Sequence, residues 1–167
     1  DIIAVASKDD SKEIKIKSKG FPEDTVDISK LSPSDYENYG SSAIIAGICD
    51  GFAKNGFAFG GFTAYTTSNV LKGSGLSSSA AYDVLIGTII NYLFFDAKVS
   101  QAEIAQIGQY AENVFFGKPC GLMDQTASAV GNLVTIDFFD KDHPEIKPVD
   151  FDFSSCGHAL CIIDTRA

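Results

Sequence analysis

Three places in this sequence combine residue types that can do chemistry. The run Gly73-Ser74-Gly75-Leu76-Ser77-Ser78-Ser79 puts hydroxyls and backbone N–H groups in a turn that two glycines make sharp. Glu112 is a lone carboxylate on an apolar helical stretch, and Asp124 lies inside Gly117-Lys118-Pro119-Cys120-Gly121-Leu122-Met123-Asp124-Gln125. A glycine-serine turn opening into a helix is built to hold an anion, because first-turn N–H groups lack intrahelical acceptors and the helix dipole favours negative charge there. Equally, three serines after a turn suit a plain N-cap beside a small-residue packing site. The run is neither a Walker A loop nor a G-x-S-x-G nucleophile elbow, since no Gly-Lys-Ser/Thr follows and the serines fall outside that spacing. Glu112 shares a helix shoulder with Ala105 and Gly108, at the border of a buried face. A carboxylate there either does chemistry or is simply solvated, since burial of an unpaired acid is costly. Asp124 at the opening of a helix complements the helix dipole.

The elements that must position these groups can be read in chain order. Ile2–Ser7 and Glu13–Ser18 read as strands joined in a hairpin by Lys8-Asp9-Asp10-Ser11, with Ile14 and Ile16 alternating against lysines. Phe21 to Pro33 reads as loop. The acidic start Ser34-Asp35-Tyr36-Glu37 opens a helix whose apolar stripe Tyr39, Ile44, Ile45, Ile48 and Phe52 runs to the stop Asn55-Gly56. Phe62–Val70, rich in β-branched and aromatic residues, is a strand feeding straight into the glycine-serine turn. A buried helix follows over Ala80–Phe95. Ser100 and Glu103 form a capping box for the next helix, with the stripe Ile104, Ile107, Ala111, Val114 and Phe115. A short helix from Asp124 through Ala129, a strand Leu133–Asp137, a polar loop around His143-Pro144 and a final strand Ala159–Asp164 complete the order.

Composition narrows the partners. The chain has 167 residues, 45% of them hydrophobic, enough for one buried core. A net charge of −9 repels nucleic acid backbones and anionic lipid, so neither nucleic acid nor membrane is an expected partner. Cys49, Cys120, Cys156 and Cys161 have no C-x-x-C spacing, which suggests reduced thiols in a cytoplasmic protein and no structural zinc. The Ala80–Phe95 run is broken by Asp83 and Asn91 and falls short of the roughly 20 residues a membrane span needs.

Taken together, Gly75-Leu76-Ser77-Ser78-Ser79-Ala80-Ala81, then Ala111-Glu112-Asn113, then Gly117-x-Pro119-Cys120-Gly121-x-Met123-Asp124-Gln125 closely resemble the galactokinases of the GHMP kinase family. The glycine-serine loop belongs to the whole superfamily, and Pro-Cys-Gly-x-Met-Asp-Gln points to the galactokinase branch. The resemblance implies an α+β fold of the ribosomal-protein-S5 domain 2-like type, with helices packed on a mostly antiparallel sheet and a left-handed βαβ crossover. It implies one truncated N-terminal domain over residues 1–167, with 151–167 the start of the following domain. It further implies ATP-dependent phosphorylation of galactose at its anomeric hydroxyl. Gly73, Ser74, Gly75, Leu76, Ser77, Ser78 and Ser79 would then wrap the ATP phosphates, and Ser79 and Glu112 would bind Mg²⁺, the place of Glu112 beside Ala105 and Gly108 leaving room for a hydrated ion. Asp124 would be the catalytic base or orienting anion, and Cys120, Gly121 and Asp124 would border the sugar. Such a set is coherent, because phosphoryl transfer needs mainly positioning and charge stabilisation.

Departures from the pattern set further expectations. Leu71 and Lys72 stand where the superfamily loop usually begins with proline. The family's Gly-Arg-x-Asn-Leu-Ile-Gly-Glu-His segment and its C-terminal glycine-rich segment are not in this sequence, so the polypeptide by itself is expected not to phosphorylate galactose. Apolar surface left uncovered would favour self-association. Two other readings stay open: a GHMP kinase for another small molecule, and a galactokinase-like regulatory protein that binds sugar and ATP. Sensors of the latter kind lack a Ser-Ala pair that is present here as Ser79-Ala80.

Overall fold

A computed structural model describes residues 1–37, 40–70, 75–140, 143–159, 161 and 163. The chain forms two compact units, residues 1–129 and 130–167. In the first, strands β1 (Ile2–Lys8), β2 (Glu13–Ser18), β3 (Glu23–Asp27) and β4 (Phe62–Ser68) make one sheet in the order β1-β4-β2-β3. Helices α1 (Ser41–Lys54), α2 (Ser78–Phe94), α3 (Gln101–Tyr110) and α4 (Met123–Val130) follow the strands or separate them. The architecture is the expected α+β type, with β4 antiparallel to β1 and parallel to β2, and β2 antiparallel to β3.

Alternation selects the buried face of the sheet. Ile14, Ile16, Val26, Phe62 and Ala64 are fully buried under the helices, whereas Lys15, Lys17 and Tyr65 point the other way. Helices α1 and α2 cover this face, and α3 packs across both of them. The apolar stripe of α1 is buried from Ala43 to Cys49 and again at Phe52. Beyond it, Phe52 stacks on Phe95 at 6.0 Å between ring centroids, with Phe57 at 5.0 Å from Phe95. The outer face shows Ile3, Val5 and Tyr65 to solvent.

Several sequence expectations are corrected. β1 and β2 are not a hairpin, because β4 inserts between them. The connection after β1 wraps the start of β4 instead: Asp9 N–H donates to Gly61 O at 3.0 Å, and Gly61 N–H donates to Ser11 O at 2.9 Å. A side chain at Gly61 would lie 2.6 Å from Glu13 O and 2.7 Å from Ser11 O, so only glycine admits this approach. β3 forms within the stretch read as loop, its one buried apolar residue, Val26, being too weak a pattern to announce a strand. Pro33–Tyr36 is a separate 3₁₀ turn, and α1 starts only at Ser41, while Tyr39 lies outside the described residues. The start of α1 has no cap of its own. Asp24 on β3 ties that start to the sheet instead, accepting from Ser41 Oγ at 2.8 Å and Ser42 Oγ at 2.6 Å.

The second unit contains a hairpin of β5 (Leu133–Asp137) and β6 (Glu145–Val149), in register Leu133 to Val149. β6 replaces part of the polar loop expected there, and its Pro148 is tolerated because a two-stranded ladder is all edge. The final strand is not found: Ala159, Cys161 and Ile163 are in no strand, and Leu160, Ile162 and Asp164 lie outside the described residues.

α3 does not end as a regular helix. It runs into a π-helical turn over Ala111–Phe116, closed by Gly117 N–H donating to Glu112 O. The wider turn rotates Val114, expected in the buried stripe, out to 44% exposure and keeps Ala111 and Phe115 inside. α1 docks on this turn through Gly47, where an added Cβ would lie 2.8 Å from both Ala111 Cα and Ala111 Cβ. Replacing Gly47 with alanine is therefore expected to destabilise the protein by about 1–3 kcal/mol, measured by urea unfolding. An unchanged midpoint would show that α1 and the π turn are not closely docked.

Candidate functional site

α2 starts at Ser78, ten residues after the end of β4. Ser77 precedes the helix in the left-handed region at φ 53°, ψ 49°, which is costly for a residue with a side chain. Its hydroxyl does not cap α2. Instead Ser77 Oγ donates to Asp124 Oδ2, so this hydroxyl does not occupy the first-turn N–H groups, which suit an anion. The simple N-cap reading of these serines thus does not hold at Ser77. Gly75 and Leu76 are exposed, and Ser78 and Ser79 are half-buried at the helix start. Gly73 and Ser74, with Leu71 and Lys72, lie outside the described residues.

Ser79, Glu112 and Asp124, from α2, the π turn and α4, line one cavity of about 230 Å³. Lys118, Cys120 and Gly121 form its other wall, with Gln125 at its floor. Glu112 is 1% exposed, and neither of its carboxylate oxygens has a hydrogen-bond partner among the described residues. A buried carboxylate with nothing to bond is expensive. Its opening onto a cavity shared with a serine hydroxyl fits a hard cation such as Mg²⁺, which takes few protein ligands and keeps its waters. No cluster of three or more acidic, histidine or cysteine side chains that could hold a metal occurs among the described residues, so a cation here would rest on Ser79 and Glu112.

The space beside Gly108, read from sequence as room for an ion, is filled. Asp83 and Gln125 pack against that glycine. Asp83 is 1% exposed, its Oδ2 accepts from Gln125 Nε2 at 3.4 Å, and its Oδ1 has no partner among the described residues. Sequence reasoning used this residue only as a break in an apolar run. A single acid four residues beyond Ser79, one helical turn on, was the available signal. On the far side of the cavity, Asn113 and Gln109 hold the backbone of Cys120, and Gln125 Nε2 also reaches Cys120 Sγ at 3.5 Å. Desolvation raises the Cys120 thiol above its ordinary value, so it lines the cavity as a neutral group. A second cavity of about 210 Å³, between α1 and α3, offers less: Lys54 there is paired with Asp50 and Tyr110, and Glu103 with Ser100.

Burial first, and then the neighbouring Glu112 carboxylate, push Asp83 from 3.8 up to about 8. Lys118 and the Gln125 bond act the other way. The folded state thus holds a proton that the unfolded chain has released, and stability declines as pH rises from about 4 to about 8. Asp83→Asn is expected to flatten this decline in denaturation midpoints measured across that range. An identical pH slope in the variant would show that Asp83 is ionised in the fold.

Residues 40–132 match the family model described as the GHMP kinases N terminal domain. A galactokinase of Clostridium tetani is 39% identical over 106 residues, covering 62% of this chain and 27% of that protein. The Lactococcus lactis galactokinase structure, complexed with galactose, superposes with a TM-score of 0.73 at 25% identity, over 91% of this chain and 40% of that one. The Methanococcus jannaschii mevalonate kinase shares the fold, with a TM-score of 0.66 at 13% identity over 92% of this chain and 47% of its own. The chain therefore spans well under two thirds of the length of these relatives. With the family model covering the β4–turn–α2 unit, the π turn and α4, the chain belongs to the GHMP kinases and contains their N-terminal domain.

Proposed function

We propose that this chain is part of a galactokinase, transferring the γ-phosphoryl group of ATP to the anomeric hydroxyl of galactose. The observation that carries the reading is the single cavity lined by Ser79, Glu112 and Asp124. The 39% identity to a galactokinase supports the choice of acceptor. The stretch Gly73–Ser79 holds the phosphates through backbone N–H groups and hydroxyls at the start of α2. Ser79 and Glu112 hold Mg²⁺, which when bound offsets the charge of the phosphates. Asp124 faces the acceptor hydroxyl and takes its proton as the new O–P bond forms and the bond to ADP breaks. Cys120 and Gly121 border the sugar with backbone groups and a neutral thiol. Ser77, donating to Asp124, fixes the orientation of that carboxylate and ties the nucleotide loop to the acceptor side. The free cysteines fit a reducing, cytoplasmic setting.

The test is acceptor turnover by the full-length protein that contains this chain. Galactose is expected to be phosphorylated in preference to mevalonate or a heptose phosphate. Asp124→Asn is expected to lower kcat by roughly 10²-fold or more, with the KM for ATP nearly unchanged. Faster turnover of another acceptor would reassign the substrate, and an undiminished kcat in the variant would remove Asp124 from the chemistry.

A further inference from the structure

The loop between the π turn and α4 is fixed at three points. At its start Lys118 N–H donates to Glu112 O at 3.0 Å. At its end Leu122 O accepts from Thr126 N–H at 3.0 Å and from Thr126 Oγ1 at 2.8 Å, which anchors it to a fully buried threonine. Between these, Asn113 grips both backbone groups of Cys120: Cys120 N–H donates to Asn113 Oδ1 at 2.7 Å, and Asn113 Nδ2 donates to Cys120 O at 3.4 Å. Gln109 Nε2 adds a donor to the same carbonyl at 3.2 Å. Asn113 is the residue next to Glu112 on the π turn, so one turn of helix presents a carboxylate to the cavity and an amide to the loop that walls it.

We propose that Asn113 is a positioning residue that locks the Cys120–Gly121 wall of the acceptor site to the turn bearing Glu112. The inference rests on the functional reading above and extends it. Asn113 touches neither substrate nor reacting atoms. Without its amide, residues 119–121 are left to the bonds from Gln109 and Gln125 and to the loop's two ends, and the acceptor wall loses its distance from the metal-binding carboxylate. Gly121 has no heavy atom within 4 Å of where a Cβ would sit, so nothing else packs that part of the wall. The effect falls on the acceptor and not on the nucleotide, because among the described residues the Asn113 amide bonds the backbone of Cys120 and not the start of α2.

The test uses the full-length protein. In Asn113→Ala the galactose KM is expected to rise about tenfold, with the ATP KM close to wild type, and amide exchange at Cys120 to quicken by about fivefold or more. Asn113→Asp keeps the 2.7 Å acceptor for Cys120 N–H and is expected to hold exchange near the wild-type rate. Equal loss toward both substrates, or Cys120 exchange unchanged in the alanine variant, would overturn the proposal. Gln109→Ala, which removes only a donor to the carbonyl, gives a second reading of the same wall, with a smaller rise in galactose KM expected and none overturning it. Should the wild type turn over no galactose, the functional reading fails, and exchange at Cys120 still decides whether the clamp exists.

Discussion

Burial of the Glu112 carboxylate with no hydrogen-bond partner among the described residues is the constraint around which the helical layer is arranged. Leaving an ionised or protonated acid unpaired in a protein interior opposes folding, so surrounding contacts must hold it there. Three features do so. Gly47 lets α1 close directly on Ala111, the π turn keeps Glu112 and Phe115 inward while releasing Val114, and Asp83 and Gln125 fill the space beside Gly108. Held in this way, Glu112 lines the cavity that Ser79 and Asp124 also line. Strain of this kind gathers where a ligand completes the missing interactions. A helical irregularity at the same turn belongs to the same pattern.

The sheet serves this arrangement at a distance. Because β4 lies between β1 and β2, its C-terminal end emerges from the middle of the sheet and leads to the glycine-serine turn from a strand paired on both sides. A strand at an edge would give α2 a less firmly placed start. Asp24 on β3 accepts from the hydroxyls of Ser41 and Ser42, so the helix that docks on the π turn is tied to the sheet at its beginning as well as along its face. Position is thus passed from sheet to α1, from α1 to the π turn, and from the π turn to the loop that walls the cavity.

Much of this was legible in the chain, and the failures have physical causes. The capping box at Ser100 and Glu103, the strand before the glycine-serine turn and the stripe of α1 are local patterns, and each appears in the structure. The convergence of Ser79, Glu112 and Asp124 could not come from spacing, and it entered through family resemblance. Strand order was misread because insertion of β4 between β1 and β2 depends on the close approach at Gly61, a non-local contact. β3 and β6 each have too few buried apolar residues for alternation to show. Asp83 was passed over because an acid in an apolar helix reads as an interruption until its packing against Gly108 and Gln125 is seen. The π turn gives no compositional sign at all, and only the outward Val114 betrays it.

The most direct test is calorimetric titration of Mg²⁺ with a non-hydrolysable ATP analogue into the full-length protein and its Glu112→Gln variant. If the unpaired carboxylate is the cation's protein ligand, the variant loses at least about tenfold in Mg²⁺-dependent affinity, a difference of about 1.4 kcal/mol, while nucleotide binding without metal is unaffected. Equal Mg²⁺-dependent affinity in the two proteins would contradict the account.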